Sequence, residues 1–185
     1  RDLKPGNVII ERDDEDDAET ARVLDFGLAK VLRGDASQSL TALTQQNMVF
    51  GTPEYMAPEA ARGDDVDARS DVYAAGIILY ELVTGSVPFG GNNPIAIMTA
   101  HLTDTVIAPS ERAPNAGIGP ALDAVVMHAL AKKPEDRYPS AAALSAALAQ
   151  AMHSPRDVAS TRPPPSDQEL GNRDTELSLG SPDLQ

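Results

Sequence analysis

The chain contains no cysteine, so it can hold neither a disulfide framework nor a thiolate metal site, and nothing marks its redox compartment. Positive charge is scarce as well. Fifteen Lys and Arg stand against twenty-eight Asp and Glu, a formal net charge of −13. A phosphate backbone calls for a basic footprint, so this balance excludes nucleic acid as an expected partner. No apolar run approaches the roughly 20 residues needed to cross a bilayer. The longest, around residues 73–82, is interrupted by Glu81 and ends at Gly85. Neither a signal peptide nor an internal repeat is visible. The chain opens on Arg1 rather than Met, and inside a motif, so it reads as a piece of a longer protein. The expected location is cytoplasmic, with any membrane anchor of the parent lying beyond the tail.

What is present suffices for one domain with a core: 185 residues, 42% of them hydrophobic. Residues 11–19 hold seven acids and one Arg, a self-repelling run expected to be a solvated loop. A Ca²⁺ loop is the competing reading, but the Gly and terminal Glu of an EF-hand are missing. Flanking this run, residues 8–10 and 23–24 are short and apolar, the expected strands of a hairpin. Residues 28–50 are polar and aperiodic, a connection long enough to suggest function. Ser70 is the expected N-cap of a helix over residues 71–84, closed by Gly85 and apolar around nearly its whole circumference, hence buried. Pro94 starts a helix to about residue 103, Pro120 one to about residue 132, and Ser140 caps one to about residue 152. Residues 154–185, with three consecutive prolines and few apolar side chains, are expected to be a disordered tail or linker.

The residues that carry chemistry lie near the start. Asp2 and Asn7 are separated by four residues, and Asp25-Phe26-Gly27 follows after a predicted strand. Phosphoryl transfer needs a carboxylate to accept the proton of the attacking hydroxyl, and hard oxygen ligands to hold Mg²⁺ against the phosphates. Asp2 suits the first task, Asn7 and Asp25 the second. The bland alternative is a turn whose Asp and Asn bond local backbone, followed by an ordinary Asp-x-Gly turn. Arg1 before Asp2, Lys4-Pro5 within the span and the downstream Asp-Phe-Gly make chance agreement remote.

With Gly51-Thr52-Pro53-Glu54-Tyr55-Met56-Ala57-Pro58-Glu59, Asp71-Val72-Tyr73 and Pro134-Glu135-Asp136-Arg137-Tyr138, the chain resembles the C-terminal lobe of a protein kinase. The resemblance is to serine/threonine kinases of the bacterial, eukaryotic-like (Hanks-type) kind, over residues 1–153. It implies an α+β kinase-like fold: a mainly α-helical C-terminal lobe with a short two-stranded hairpin, the N-terminal lobe absent. It also implies transfer of the ATP γ-phosphoryl group to Ser or Thr hydroxyls of protein substrates, with ATP and Mg²⁺ as cofactors.

By the same resemblance Asp2 is the catalytic base and Lys4 neutralises charge on the transferred group. Asn7 and Asp25 ligate the metal, while Phe26 and Gly27 pack and turn the backbone behind it. Thr52 shapes the pocket beside the acceptor. Arg1 pairs with a phosphorylated residue of the activation segment, residues 25–59, where Thr41 and Thr44 are the candidates, with Ser37 and Ser39 behind them. Glu59 pairs with Arg137 as a structural element. Asp71 has two compatible readings, a helix-dipole acid and an acceptor for catalytic-loop backbone. His101, His128 and His153 have no metal-site spacing and read as packing or surface residues.

The Gly-rich loop, the strand Lys and the helix Glu of the family are not in this sequence, so the 185 residues alone are expected to be inactive. An aminoglycoside-kinase relationship shares the Asp-to-Asn spacing, but residues 51–59 argue against it. The rival from another class is a pseudokinase or truncated docking module.

Overall fold

Seventeen residues, Ala68–Thr84, form the longest described helix, the one on which both core clusters are built. The computed structural model describes residues 2–13, 17–24 and 52–153, all within one compact unit. The expectations for Arg1, for residues 25–51 with Asp25, Phe26, Gly27, Thr41 and Thr44, and for the tail from residue 154 lie outside the described residues.

In chain order, strand β1 (Val8–Arg12) pairs antiparallel with β2 (Glu19–Val23). Helices α1 (Pro58–Arg62), α2 (Ala68–Thr84), α3 (Pro94–Thr103), α4 (Pro109–Arg112), α5 (Pro120–Ala129) and α6 (Ala141–His153) follow. Among the described residues, the 3₁₀ turns Pro5–Asn7, Pro53–Tyr55 and Pro134–Asp136 punctuate them. Each turn begins with Pro, whose fixed φ suits the first helical position.

The hairpin is longer than the apolar residues alone predict. Val8 faces Val23 as expected, but pairing continues to Arg12 opposite Glu19. The acidic run is therefore partly strand. Arg12 pairs with Asp17 at 2.9 Å and with Glu19 at 3.5 Å, and Arg22 pairs with Glu11. Two arginines thus spread the repulsion that argued for a wholly looped segment. Ile9, Ile10, Val23 and Leu24 are exposed on this hairpin.

The helix α2 begins three residues earlier than expected. Its N-cap is Asp67, whose carboxylate accepts from the Arg69 backbone N–H at 2.8 Å. Ser70 lies inside the first turn and donates instead to Glu59. Both residues are good caps in isolation, and the tertiary bond to Glu59 decides between them. Gly85, with φ of 78°, closes the helix in the left-handed region that favours glycine.

Among the described residues two side-chain clusters make the core, and α2 contributes to both. Tyr73, Ile77 and Tyr80 pack against Val126 and Leu130, while Val72 packs against Val125, Ala129 and Leu144. Helices α5 and α6 thus cover adjacent faces of α2. The close approach needs Gly76, where an added Cβ would lie 2.9 Å from Ala129 Cβ. Burial is not uniform along α2, contrary to expectation: Leu82, near its end, is 76% exposed. The α5 helix ends at Ala129 rather than near residue 132, because Leu130 leaves the helical track and Pro134 follows. Among the described residues no helix is long and apolar enough to cross a membrane.

Candidate active site

The 3₁₀ turn Pro5–Asn7 folds the first residues back on themselves. The Asn7 N–H donates to Lys4 O at 2.9 Å, and the Asn7 side chain donates Nδ2–H to Asp2 O at 2.8 Å. The Asn7 carbonyl then accepts from Leu24 N–H at 2.7 Å, tying the loop to the residue before Asp25. One amide therefore joins the two ends of the predicted catalytic loop, and β1 and β2 hold the loop against Leu24.

Around this turn the structure brings together Asp2, Lys4, Asn7 and Thr52. Lys4 Nζ lies 3.0 Å from Asp2 Oδ2 and donates to Thr52 Oγ1 at 3.1 Å. Asn7 Nδ2 lies 3.5 Å from the same Asp2 oxygen. The cluster is partly open: the Lys4 and Asp2 side chains are 27% and 21% exposed. A pair this exposed adds little to stability, but a carboxylate so held keeps a fixed direction while remaining reachable. Thr52 arrives from 48 residues away and opens the Pro53–Tyr55 turn. That turn is held by α2, where Glu81 accepts from the Tyr55 hydroxyl at 2.6 Å. Burial, then Glu81 itself, raises the Tyr55 pKa well above the usual phenol range, so the hydroxyl stays a donor.

Asn7 retains Oδ1, a hard oxygen suited to a cation such as Mg²⁺, because Nδ2 is already committed to Asp2. The donor set present fits such an ion in part, since the second expected ligand, Asp25, lies outside the described residues. Among the described residues no group of three or more His, Asp or Glu could hold a metal unaided.

Glu59 and Arg137 do meet, at the first turn of α1. Arg137 donates both terminal nitrogens to Glu59, at 2.8 and 2.7 Å, and its remaining N–H groups to Ala131 O, Arg69 O and Lys132 O. All five guanidinium donors are thereby used. Burial pushes the Glu59 pKa up, but the bonds from Arg137 and Ser70 outweigh it and leave the carboxyl below its ordinary value. Asp71 lies in the first turn of α2, half-buried, and is not without a partner.

Sequence reasoning underrated two residues. His101 is fully buried, and Lys132 caps the end of α3 with Nζ bonds to Ala100 O and His101 O. The signal for His101 was its spacing from Ile97 and Met98, the two buried apolar residues of α3, at i+4 and i+3.

Known proteins resemble this sequence. Residues 1–149 match the protein kinase domain, and the chain belongs to the protein kinase family. Among its relatives, serine/threonine-protein kinase pkn3 of Myxococcus xanthus is 47% identical over 149 residues, covering 80% of this chain and 26% of that protein. Serine/threonine-protein kinase PknB of Mycobacterium leprae is 41% identical over 181 residues, 98% of this chain and 26% of the relative. PknB of Mycobacterium tuberculosis is 44% identical over 148 residues, 80% and 22% respectively. The relatives are bacterial serine/threonine kinases, and the chain spans about a quarter of their length.

Proposed function

We propose that residues 1–153 are the C-terminal lobe of a serine/threonine protein kinase, supplying its catalytic loop, peptide-docking turn and helical core. The observation that carries this reading is the contact of Lys4 with both Asp2 and Thr52, which joins a candidate base to the turn that would receive substrate.

In this reading Asp2, oriented by Lys4 and Asn7, accepts the proton of a Ser or Thr hydroxyl as that oxygen attacks phosphorus. Lys4 offsets the charge that develops on the transferred group, and Thr52 fixes both Lys4 and the start of the docking turn. Asn7, with Asp25, would hold Mg²⁺. When bound, MgATP supplies the γ-phosphoryl group and the metal's charge neutralisation. Arg1 would pair with a phosphate placed on Thr41 or Thr44 of the activation segment, residues 25–59. The sequence has no Gly-rich loop and no strand Lys, so transfer requires an N-terminal lobe that brings both.

The test joins residues 1–185 to such a lobe and supplies γ-labelled MgATP with a Ser/Thr-containing acceptor protein. Label is expected on Ser or Thr, reduced about 10²–10⁴-fold by Asp2→Asn. The 185 residues alone are expected to transfer none. Equal labelling by the Asp2→Asn variant, or none by the joined protein, would overturn the reading.

A further inference from the structure

With ten residues, α3 is shorter than the roughly 12–15 that let a helix persist alone in water, so it depends on what its buried face meets. That face is narrow. Ile97, Met98 and His101 are its buried residues, and His101 is wholly out of solvent. One of three anchors of this helix is therefore titratable, and the chemistry proposed above makes no use of it.

The contacts of His101 gather at the C-terminal turn of α3. Nδ1 lies 2.9 Å from the Tyr73 hydroxyl of α2, and the Phe89 ring stands edge-on at 5.0 Å between centroids. Lys132 Nζ donates to His101 O at 2.8 Å and to Ala100 O at 3.3 Å, and lies 4.6 Å from the centre of the Phe89 ring. The opposite end is held differently: Asn93 Oδ1 accepts from the Ile95 and Ala96 N–H groups, with no titratable group involved.

The ring has no good place for a second proton. Nε2 is buried without a hydrogen-bond partner, a deficit that holds whichever nitrogen carries the first proton. In the doubly protonated ring both nitrogens are donors. The Tyr73 oxygen can accept from Nδ1, which leaves a buried cationic N–H at Nε2 with nothing to accept it. Of the charges around it, the one that bears on the ring is a second cation, Lys132. From α2, Tyr73 carries Arg137 over its ring at 4.8 Å, and Arg137 is engaged by Glu59. The Phe89 loop, residues 85–93, has no charged side chain. Arg62 of α1 pairs with Asp64, and in the Pro53–Tyr55 turn the Tyr55 hydroxyl donates to Glu81 while the Glu54 charge bears on Tyr55. Asp104, just past α3, accepts from the Thr103 hydroxyl and bears on Lys132. The Glu54 backbone favours the charged ring, but less than burial and then Lys132 oppose it.

We propose that α3 is an acid-released helix: protonation of His101 frees its C-terminal turn, residues 98–104, while α2, α5 and α6 stay folded. The charged ring reaches water as that turn swings out. The movement breaks the Asp104 N–H bond to Ala100 O and the two Lys132 bonds, and uncovers Met98. The Asn93 cap lies outside the moving turn and keeps the start of the helix in place.

Amide exchange in the 185-residue chain, corrected for the intrinsic rate at each pH, tests this directly. Opening of residues 98–104 is expected to become about ten-fold more frequent between pH 7.5 and pH 5.5, the ratio that folded and unfolded pKa values of about 4 and 6.5 require. At both pH values these amides should exchange faster than those of α5 and α6. His101→Phe and His101→Gln do not titrate, and each should hold opening of this turn within about two-fold across the same range. The two side chains differ in shape and polarity, so one serves if the other fails to fold. A wild-type turn that does not respond to pH, an undiminished response in either variant, or residues 98–104 exchanging no faster than α5 and α6 would overturn the proposal.

Discussion

Two ion pairs, Glu59–Arg137 and Asp2–Lys4, are built from the same chemistry and do different work. In the first the side chains are 4% and 0% exposed, and every guanidinium N–H has a partner. In the second both side chains are about a quarter open to solvent, and the cation also touches Thr52. The buried pair cannot exchange partners without stranding a charge. It ties α1 to the loop before α6, and through Ser70 to the start of α2. The half-open pair costs little to disturb and remains within reach of a ligand. Solvent access separates a fold-holding ion pair from one available for chemistry.

The sharpest way to break the comparison is to remove one partner from each. Arg137→Ala should cost about 3–5 kcal/mol in chemical denaturation, because Glu59 stays buried without its cation. Replacing both Glu59 and Arg137 with Met should recover most of that loss. A single-variant cost below about 1 kcal/mol would place this pair with the surface ones.

Acid titration gives the next largest effect. The His101 pKa is lowered from 6.5 to about 4 in the fold, so the unfolded chain binds a proton more readily between those values. Stability is therefore complete above pH 6.5 and falls as pH drops toward 4, by about 3 kcal/mol. The groups beside the ring are the Tyr73 hydroxyl from α2 and the Phe89 ring, with Lys132 the neighbouring charge. His101→Phe should flatten this part of the profile. Glu59, whose pKa is lowered, acts in the more acid range: its contribution is present above about 4.5 and is lost as pH falls through its folded value.

A smaller effect comes from Gly76→Ala. The added methyl meets Ala129 Cβ and Leu130 Cδ2 where α2 and α5 cross, and should cost about 1–3 kcal/mol by overpacking. Smallest in stability is Thr52→Val, expected to cost under about 1 kcal/mol. Its effect should fall on transfer by the joined protein, about 10²-fold in kcat/KM, because Lys4 loses its tether.

Much of this was legible in the sequence, for identifiable reasons. The Pro94–Thr103 helix has Asn and Pro at its start, and its bounds fall where local rules put them. The pairing of Glu59 with Arg137 is what the family resemblance implies, whereas the contact of Lys4 with Thr52 and Asp2 shows only in the structure. Local rules failed where a tertiary contact competed. Asp67 and Ser70 are both good N-caps, and only the bond from Ser70 to Glu59 shows which of them caps α2. Pro58–Arg62 and Pro109–Arg112 are too short to show a helical period. The second is set by a contact no local pattern reveals, Asp123 accepting from the Ser110 backbone N–H at 2.9 Å. Histidine chemistry is equally silent in sequence: His101, inside the core, and His128, exposed against Tyr138 at 4.1 Å, differ only in what surrounds them.

The central claim is that Asp2 serves chemistry while Glu59 serves the fold. Its most direct test measures Asp2→Asn and Glu59→Gln side by side in the joined protein, recording both phosphoryl transfer and unfolding free energy. Asp2→Asn should abolish nearly all transfer while moving stability by less than about 1 kcal/mol, and Glu59→Gln should lower stability by several times as much. Full transfer by Asp2→Asn, or equal stability losses for the two variants, would contradict the account.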